Sequence, residues 1–338
     1  MKLLHWTVFL DLLGYRELNG DVVNEEKAQE LLEFMNSNKE VFEKQNNNPD
    51  MKKHYSQSSY NLYEHYTISF AFISDSLIVS YTPNLDKDFD EDIALRHSAN
   101  SLLIILQRLR LLIYKCALEK KIFLRGGISN DYSYIKGNFA VGKGVGSAYK
   151  AETQAKYPRV ILAEDVVKNE KLMKSIDLLS DMMYSVSFIK DDGDGVKYLD
   201  FNTFGRITLD AKSGNPYVIR NAINNPENYA ETINSEGGML RAYKEAIEFQ
   251  IKKALVLKDS TLSEEQRLYK SLKEKYLWLS NYHNNSCEEF SKLSIAIPKS
   301  VAKPNPRTYG LCLFLLRLIP AILEFKIDES LLKDLNDN

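Results

Sequence analysis

"TVFLDLLGYRELNG", residues 7–20, places a charged side chain directly after an apolar run. Residues 7–10 are β-branched or bulky, so they predict a buried strand that stops on Asp11. A helical pattern follows from Tyr15 onward. A carboxylate at the end of a buried strand is costly unless a cation or backbone amides pair with it. The stretch therefore predicts a strand–helix junction that binds a charged group.

The composition is that of an ordinary globular protein. The chain has 338 residues, 44% of them hydrophobic, which is enough for one large domain or two smaller ones. Its net charge is −2, so we expect no nucleic acid and no anionic membrane as a partner. The three cysteines show no paired spacing, and Asp11 interrupts the N-terminal apolar run before it could form a signal peptide. We therefore expect a cytoplasmic protein.

The order of the predicted elements indicates an α+β domain, with one sheet and helices on one face. In chain order we expect a strand at 7–11, a helix at 15–44, a hairpin at 67–82, a helix at 91–120, a strand at 122–129, a strand, glycine-rich turn and helix within 132–154, a strand at 158–165 and a hairpin at 184–204. From about Pro216 onward the pattern predicts helices with polar joints. We therefore divide the chain into a domain at 1–206 and a helical C-terminal subdomain at 207–338.

Two segments are harder to interpret. Residues 45–66 are rich in Asn and Tyr and predict a long loop. Residues 309–325 are strongly apolar, but they contain Arg317 and Pro320. A membrane span needs about 20 apolar residues with few charges, so a buried C-terminal helix is the favoured interpretation.

Two aspartates are candidate metal ligands. Asp11 ends the first strand, and Asp75 lies at the tip of the predicted hairpin. Adjacent strands could bring both carboxylates to one edge of the sheet, where they repel each other unless a divalent cation bridges them. Magnesium binds carboxylates together with substrate phosphates in this way. The alternative is that Asp11 caps a helix and Asp75 is an ordinary turn residue.

Five motifs in the chain resemble, in order, those of the class III nucleotidyl cyclases. The first motif is an apolar strand followed by Asp, two apolar residues and Gly, here VFLDLLG. The second motif is a hairpin with Asp at its tip, here FISDS. The third is a strand with Arg-x-Gly-Ile, here 125–128, and the fourth is V-N-x-A-x-R-x-E, here 145–152. The fifth is a late hairpin with a lysine before a glycine-rich turn, here Lys190. The resemblance implies a ferredoxin-like cyclase sheet.

The resemblance also implies an enzyme that cyclises a nucleoside triphosphate and releases pyrophosphate, with two Mg²⁺ or Mn²⁺ ions in each active site. The implied metal-binding residues are Asp11, Leu12 and Asp75. The implied catalytic residues, which balance the charge of the polyphosphate, are Arg125, Lys150 and Lys190. The backbone amides expected to bind phosphate, at the start of a helix after Asp11, are those of Leu12, Leu13 and Gly14.

Four positions depart from the purine cyclase pattern. Gly146 replaces the asparagine that orients the ribose, and Lys150 replaces an arginine, which keeps the charge but loses the forked donor geometry. Ala71, four residues before Asp75, and Phe139, seven residues before Gly146, carry neither the adenine code nor the guanine code. Either the domain is catalytically degenerate and only binds a nucleotide, or it holds a different substrate.

A base smaller than a purine would suit this pocket, with Ser69 on the same strand face as a single hydrogen-bonding group. The combination resembles the pyrimidine cyclases of bacterial antiphage signalling, the Pycsar systems. This resemblance implies UTP or CTP as substrate, cyclic UMP or cyclic CMP as product, and a separate effector protein that senses the product. A purine nucleotide cyclase is the alternative. Since the chain has one copy of each motif, the resemblance implies a homodimer with composite active sites.

Two other motifs are weaker. Residues 137–144, GNFAVGKG, nearly match a phosphate-binding P-loop, but Gly144 follows Lys143 where Ser or Thr is required. Residues 191–195, DDGDG, resemble the start of a calcium loop, but Val196 occupies the third ligand position. We interpret the first stretch as a glycine-rich turn and the second as a hairpin turn.

Overall fold

The structure, a computed structural model, describes six stretches of the chain: 1–43, 65–84, 88–184, 186–209, 226–291 and 327–336. The chain divides into two compact units, of which the first comprises 1–116, 122–182 and 188–201 and the second comprises 117–121, 183–187 and 202–338. The predicted apolar helix at 309–325 lies outside the described residues, as does the predicted loop at 45–66 except for its last two residues.

The first unit is built on a mixed sheet. In chain order the strands are β1 (Trp6–Leu13), β2 (Tyr66–Ile73), β3 (Ser76–Pro83), β4 (Phe123–Ser129), β5 (Tyr134–Lys136), β6 (Phe139–Val141), β7 (Val160–Leu162), β8 (Ile189–Asp191) and β9 (Lys197–Leu199). Seven of them form one sheet in the order β2-β3-β1-β4-β7-β9-β8, and β5 and β6 form a separate ribbon. Within the sheet β4 and β7 are parallel, whereas the other neighbours pair antiparallel.

Helices connect the strands and form most of the described part of the second unit. They are α1 (Tyr15–Gly20), α2 (Glu25–Glu43), α3 (Glu91–Lys120), α4 (Lys143–Gln154), α5 (Glu164–Val167), α6 (Glu170–Tyr184), α7 (Thr203–Leu209), α8 (Pro226–Leu255), α9 (Ser263–Ser291) and α10 (Glu329–Asn336). The predicted α+β class is confirmed, as are the first hairpin, the long helix at 91–120 and the change to helices in the C-terminal part. Across the stretches that the structure describes, no helix combines the length and the apolar character needed to cross a bilayer.

Alternation along β1 gives the sheet two different faces. Val8, Leu10 and Leu12 are buried, whereas Phe9 and Asp11, between them, are partly exposed. Side chains of a strand point alternately to opposite sides, so the first three belong to one face and the last two to the other. We call the face of Val8 the core face and the face of Asp11 the site face.

The core face packs against α2 and α3. Val8 lies opposite Val79, which lies opposite Phe70, so Phe70 belongs to the core face. The ring of Phe70 contacts that of Phe42 in α2, with 6.2 Å between the ring centroids. Tyr66, four residues before Phe70, is buried on the same face, and its hydroxyl lies near Ser98 and Ser101 of α3. These contacts place the main hydrophobic core between β1–β3 and the two long helices.

A third helix, α4, packs on the site face, so the prediction of helices on one face was wrong. The ring of Tyr149 in α4 contacts that of Phe9, at 5.3 Å between centroids. A Cβ atom at Gly127 would lie 2.1 Å from the carbonyl oxygen of Ala148 and 2.6 Å from Cβ of Ala151. The absence of a side chain at position 127 is therefore what lets α4 approach β4 this closely.

Two predicted boundaries were also wrong. The first strand does not stop on Asp11 but continues to Leu13, because residues 11–13 pair with β4. The helix predicted at 15–44 is two helices, α1 and α2, and the side chain of Asn24 accepts a hydrogen bond from the amide of Lys27 at the start of α2. In addition, the predicted strand and turn before α4 form the β5–β6 ribbon, with Gly137 at its turn at a φ of 58°.

The second unit has its own core. Tyr243, Ile247 and Leu279 are buried in it, on α8 and α9. The hydroxyl of Tyr276 donates to the side-chain oxygen of Gln250 at 3.3 Å, which links the two helices. The described part of the second unit is thus mainly helical, which agrees with the helical pattern predicted from about Pro216 onward.

Candidate active site

The register of the sheet brings Asp11 and Arg125 together. Asp11 of β1 lies opposite Arg125 of β4 on one side and opposite Ser76 of β3 on the other. Directly opposed residues share a face, so all three belong to the site face. Nη2 of Arg125 donates a hydrogen bond to Oδ2 of Asp11 at 3.1 Å. The two predicted site residues therefore form an ion pair across neighbouring strands.

A second carboxylate holds the same arginine. Nε of Arg125 donates to Oε1 of Glu152, which comes from α4. The side chain of Glu152 is 4% exposed, against 23% for Arg125 and 18% for Asp11. A buried carboxylate is costly unless it is paired and hydrogen-bonded, so Arg125 stabilises Glu152 in this position. We call Asp11, Arg125 and Glu152 the charged triad.

Glu152 is the site residue that the sequence interpretation missed. It appears as the last position of the motif at 145–152, without an assigned role. The signal that could have found it is helical spacing, because Ala148, Ala151 and Glu152 lie on one face of α4 and the two alanines are buried. A glutamate on the buried face of a helix needs a cation as partner. Arg125 on the neighbouring strand provides it.

Asp75 lies beside the end of β1. It occupies the two-residue turn between β2 and β3, after Ser74, whose φ is 57°. The carbonyl oxygen of Asp75 accepts a hydrogen bond from the amide of Leu12 at 3.0 Å. Asp11 pairs with Ser76, the residue that follows the turn. Both predicted metal-binding aspartates therefore lie at the same end of the sheet, and both are partly exposed.

These residues fit a hard divalent cation. Carboxylate oxygens are the ligands that Mg²⁺ and Mn²⁺ prefer, and Asp11 already has a positive group within 3.1 Å. In the stretches of chain that the structure describes, no group of three or more His, Cys, Asp or Glu side chains could hold a metal ion. A cation at Asp11 and Asp75 would therefore take its remaining ligands from a bound substrate or from the main chain.

The predicted phosphate-binding amides do not form the start of a helix, so that prediction was wrong. Leu12 and Leu13 belong to β1, and the amide of Leu12 already donates to Asp75. Gly14 precedes α1, which has six residues, and adopts a φ of 104°; a Cβ atom there would lie 3.1 Å from Cγ2 of Ile122. A helix this short has a weak dipole, so it offers little to an anion. The role of Leu12 at a metal stays a prediction.

Lys150 lies away from the charged triad within the chain. It is exposed on α4, on the same side as Gly146 and about 200° around the helix from Glu152. It lines a cleft of 250 Å³ whose other charged residues are Asp131, Lys143, Glu164, Asp165 and Lys168. A Cβ atom at Gly146 would meet no atom within 4 Å. The position of the missing asparagine is therefore open to solvent.

Lys190 is also distant from the triad. It lies on β8, the outer strand of the sheet, opposite Tyr198 of β9. Two strands separate β8 from β4, which corresponds to about 14 Å across the sheet between Lys190 and the strand of Arg125. A single chain therefore brings together Asp11, Asp75 and Arg125 but does not bring Lys190 to them.

The acidic turn beside Lys190 is held by a buried arginine. Nη2 of Arg159 lies 2.5 Å from Oδ2 of Asp194, and Nη1 lies 3.5 Å from a carboxylate oxygen of Asp192. Burial is the largest single influence and would raise the pKa of Asp194, but the hydrogen bond and charge of Arg159 and the backbone amides of Val196 and Asp194 together lower it. Residues 191–195 thus form a hairpin turn, as predicted, and its carboxylates pair with a side chain of the protein.

The residues predicted to read the base are not assembled into one pocket within the chain. Ser69 and Ala71 belong to the site face, because Ala71 pairs with Ile78 and Ile78 pairs with Phe9. Ala71 is only 2% exposed, so its side chain is closed to a base in this chain. Phe139 lies on the β5–β6 ribbon and is 80% exposed, so it does not cover Ala71.

Comparison with known proteins does not assign this chain to a family. A scan against protein-family models finds no match, and a search of curated proteins finds no significant similarity. The candidate site is therefore defined by its own residues, namely the charged triad and Asp75.

Proposed function

We propose that the chain is a nucleotide cyclase that converts UTP or CTP to the 3′,5′-cyclic monophosphate and pyrophosphate. The observation that carries the proposal is the pairing of Asp11 with Arg125 beside the Asp75 turn. It combines two accessible carboxylates with a forked cation at one end of a sheet. Such a set can bind a metal–triphosphate complex, since the carboxylates take the metal and the guanidinium takes phosphate oxygens.

The topology supports a ferredoxin-like cyclase sheet. The chain order β1-α2-β2-β3-α3-β4 and the antiparallel sheet order β4-β1-β3-β2 follow the split β-α-β pattern of that fold. In this arrangement the end of β1 and the β2–β3 turn are neighbours. The fold thereby accounts for the proximity of Asp11 and Asp75 in a chain where 63 residues lie between them in sequence.

The charged residues form two groups in the proposed reaction, one that binds metal ions and one that binds the polyphosphate. Asp11 and Asp75 would hold two Mg²⁺ or Mn²⁺ ions, which lower the pKa of the substrate 3′-hydroxyl and neutralise the triphosphate. Arg125, Lys150 and Lys190 bind the polyphosphate and balance the charge that develops on the leaving pyrophosphate. The 3′-hydroxyl loses its proton to solvent, and its oxygen attacks the α-phosphorus. The bond from that phosphorus to the oxygen that bridges it to the β-phosphorus breaks, and pyrophosphate leaves.

We further propose that the active site is shared between two copies of the chain. Lys150 and Lys190 lie apart from Asp11 within one chain, which supports their acting on the site of a second copy. Phe139 is largely exposed on its ribbon, so it is available to a partner. A two-fold homodimer would contain two equivalent composite sites.

The substrate class is proposed from the residue types at the base-reading positions, since one chain does not assemble them into a pocket. Ala71 and Phe139 offer no hydrogen-bonding side chain, so neither position has a group that could recognise a purine edge. Ser69 remains as a polar neighbour on β2. These positions favour a pyrimidine triphosphate, and the product would act as a second messenger in antiphage defence, sensed by a separate effector protein in the cytoplasm.

A catalytically degenerate nucleotide-binding domain is the second candidate. Gly146 supports it, because this position lacks a side chain that could orient the ribose. A purine nucleotide cyclase is a third candidate, with the same metal site and a different base contact. The retained Asp11, Asp75 and Arg125 favour an active enzyme over the degenerate domain.

The test is direct. The purified chain is incubated with each of the four ribonucleoside triphosphates and Mn²⁺ or Mg²⁺, and mass spectrometry detects the cyclic product and pyrophosphate. We expect cyclic UMP or cyclic CMP from the wild-type chain and none from Asp75→Asn. Product from ATP or GTP alone would favour the purine cyclase. Nucleotide binding without any product would favour the degenerate domain.

A further inference from the structure

Arg125 is bound on two sides at once. Nη2 contacts Asp11 at 3.1 Å, and Nε contacts Glu152. The arginine therefore already neutralises the carboxylate that is proposed to bind a metal. A divalent cation that binds Oδ2 of Asp11 competes with this guanidinium for the oxygen, since both are cations that repel each other at short range.

The two carboxylates differ in how freely they can change partners. The side chain of Asp11 is 18% exposed, so water or a cation can reach it. Glu152 is 4% exposed, and within the described stretches its other oxygen accepts a long hydrogen bond from Thr153, at 3.4 Å. Leaving a buried carboxylate without its cation is far more costly than leaving one at the surface. Arg125 can therefore release Asp11 more readily than it can release Glu152.

We propose that Arg125 serves as the built-in counter-ion of Asp11 in the metal-free chain, and that Glu152 is a positioning residue that retains Nε of Arg125 when a divalent cation displaces Nη2. The inference rests on the proposed metal site at Asp11 and Asp75. Nε lies nearer the main chain than Nη2, so a swing of the planar guanidinium about the hydrogen bond from Nε to Glu152 moves Nη2 off Asp11 and keeps that bond. The freed donors are then available to phosphate oxygens.

The arrangement couples metal binding to substrate binding. Without a nucleotide, the cation must compete with Arg125 for Asp11, which weakens its binding. A triphosphate offers Arg125 new acceptors and thereby removes the competitor. Glu152 acts on the metal only through Arg125, because it contacts the arginine and not the aspartate.

Mn²⁺ binding to the full chain without nucleotide tests this coupling, with free Mn²⁺ measured by electron paramagnetic resonance. We expect Arg125→Gln to lower the dissociation constant by at least about threefold, because the competing cation is gone. Glu152→Gln should raise it in the wild-type background, since Arg125 then keeps Asp11 as its remaining carboxylate. In the Arg125→Gln background, Glu152→Gln should change it by less than about twofold. Glu170→Gln, an exposed carboxylate at the start of α6, is the matched control.

The outcomes separate the inference from the proposed function. If Asp11→Asn and Asp75→Asn bind Mn²⁺ as tightly as the wild type, there is no metal site at these residues and both proposals fall. If those variants weaken binding but Arg125→Gln does not strengthen it, the counter-ion inference alone is wrong. An equal effect of Glu152→Gln in both backgrounds would mean that Glu152 acts by its field and not through Arg125.

A measurement on the wild-type chain covers the case in which a variant does not fold. The Nε–H signal of Arg125 is followed by ¹⁵N nuclear magnetic resonance during titration with Mg²⁺, and Arg125→Lys assigns the signal. We expect the signal to remain protected from solvent exchange at saturating Mg²⁺, because Glu152 keeps its bond to Nε. Loss of the protected signal on metal binding would overturn the role of Glu152.

Discussion

At the scale of single residues, we expect Asp75 to be required for catalysis and to contribute little to stability. Its side chain is partly exposed in a turn, and its link to Leu12 runs through the main-chain carbonyl. We expect Asp75→Ala to lower the free energy of unfolding by about 1 kcal/mol or less and to abolish cyclisation. Thermal denaturation and mass spectrometry of the product check the two parts. A folded Asp75→Ala chain that keeps most of its turnover would remove the metal-site proposal.

Replacement by alanine should have opposite effects on stability at two glycines of neighbouring elements. A Cβ atom at Gly127 would lie 2.1 Å from the carbonyl oxygen of Ala148, so Gly127→Ala must push α4 away from β4. We expect a loss of about 2–4 kcal/mol in unfolding free energy. At Gly146, within α4, a Cβ meets nothing within 4 Å, so Gly146→Ala should gain up to about 1 kcal/mol from helix propensity. Urea unfolding of both variants measures the two changes in unfolding free energy. Equal changes for Gly127→Ala and Gly146→Ala would contradict the packing of α4 against β4.

Residue identities alone predicted two of the three members of the charged triad. Asp11 and Arg125 stood out because their neighbours are apolar or glycine in a recognisable order. Glu152 did not, because its significance depends on which helix face is buried, and that is fixed by the contact of α4 with β4. Helical spacing could have placed Glu152 on the same face as Ala148 and Ala151. Its pairing with Arg125 is a tertiary contact between a strand and a later helix, which spacing does not reveal.

At the scale of elements, the packing of β2 against α3 makes stability sensitive to alkaline pH. Burial raises the pKa of Tyr66 to about 12 from an ordinary value of 10.0. The pKa of Tyr66 in the folded state lies above its unfolded value. The contribution of this tyrosine to the free energy of unfolding is therefore complete below pH 10 and is lost as the pH rises toward 12. We expect the loss to approach about 2–3 kcal/mol over that range.

Tyr66→Phe isolates this contribution. The variant should lose about 1 kcal/mol at neutral pH with the hydrogen bond to the Leu4 carbonyl, but its stability should fall less steeply above pH 10. Urea unfolding between pH 8 and pH 11.5 measures both slopes. Tyr198, whose pKa is also raised by burial and by Asp192, keeps part of the slope in either chain. Parallel curves for the two chains would show that Tyr66 does not contribute.

Element boundaries could be predicted where periodicity and turn residues agreed. They could not be predicted where pairing between strands determines the boundary. The helix at 91–120 and the hairpin around Asp75 follow from periodicity and turn residues. The extension of β1 to Leu13 comes from pairing with β4, which no local pattern encodes. Coverage of both sheet faces depends on Gly127, whose small size is informative only once the neighbouring helix is known.

At the scale of the whole molecule, a single chain contains separated parts of the proposed site. Asp11, Asp75 and Arg125 gather at one end of β1, whereas Lys150 lies on the exposed side of α4 and Lys190 on the outermost strand. The order of the motifs in the sequence indicates which parts exist but not whether one chain assembles them. Only the strand order resolves that, because it sets the distance between β4 and β8.

Complementation between inactive chains tests the shared site. Asp75→Ala removes one half of each site, and the double variant Lys150→Ala, Lys190→Ala removes the other, so each homodimer should be inactive. Mixed under exchanging conditions, about half of the dimers pair one chain of each kind, and each such dimer keeps one intact site while the other carries every defect. Activity should then return to about one quarter of the wild-type level if the sites act independently. If native mass spectrometry shows mixed dimers but activity does not return, each site is built within one chain, and Lys150 and Lys190 must reach Asp11 by a rearrangement of their own protomer.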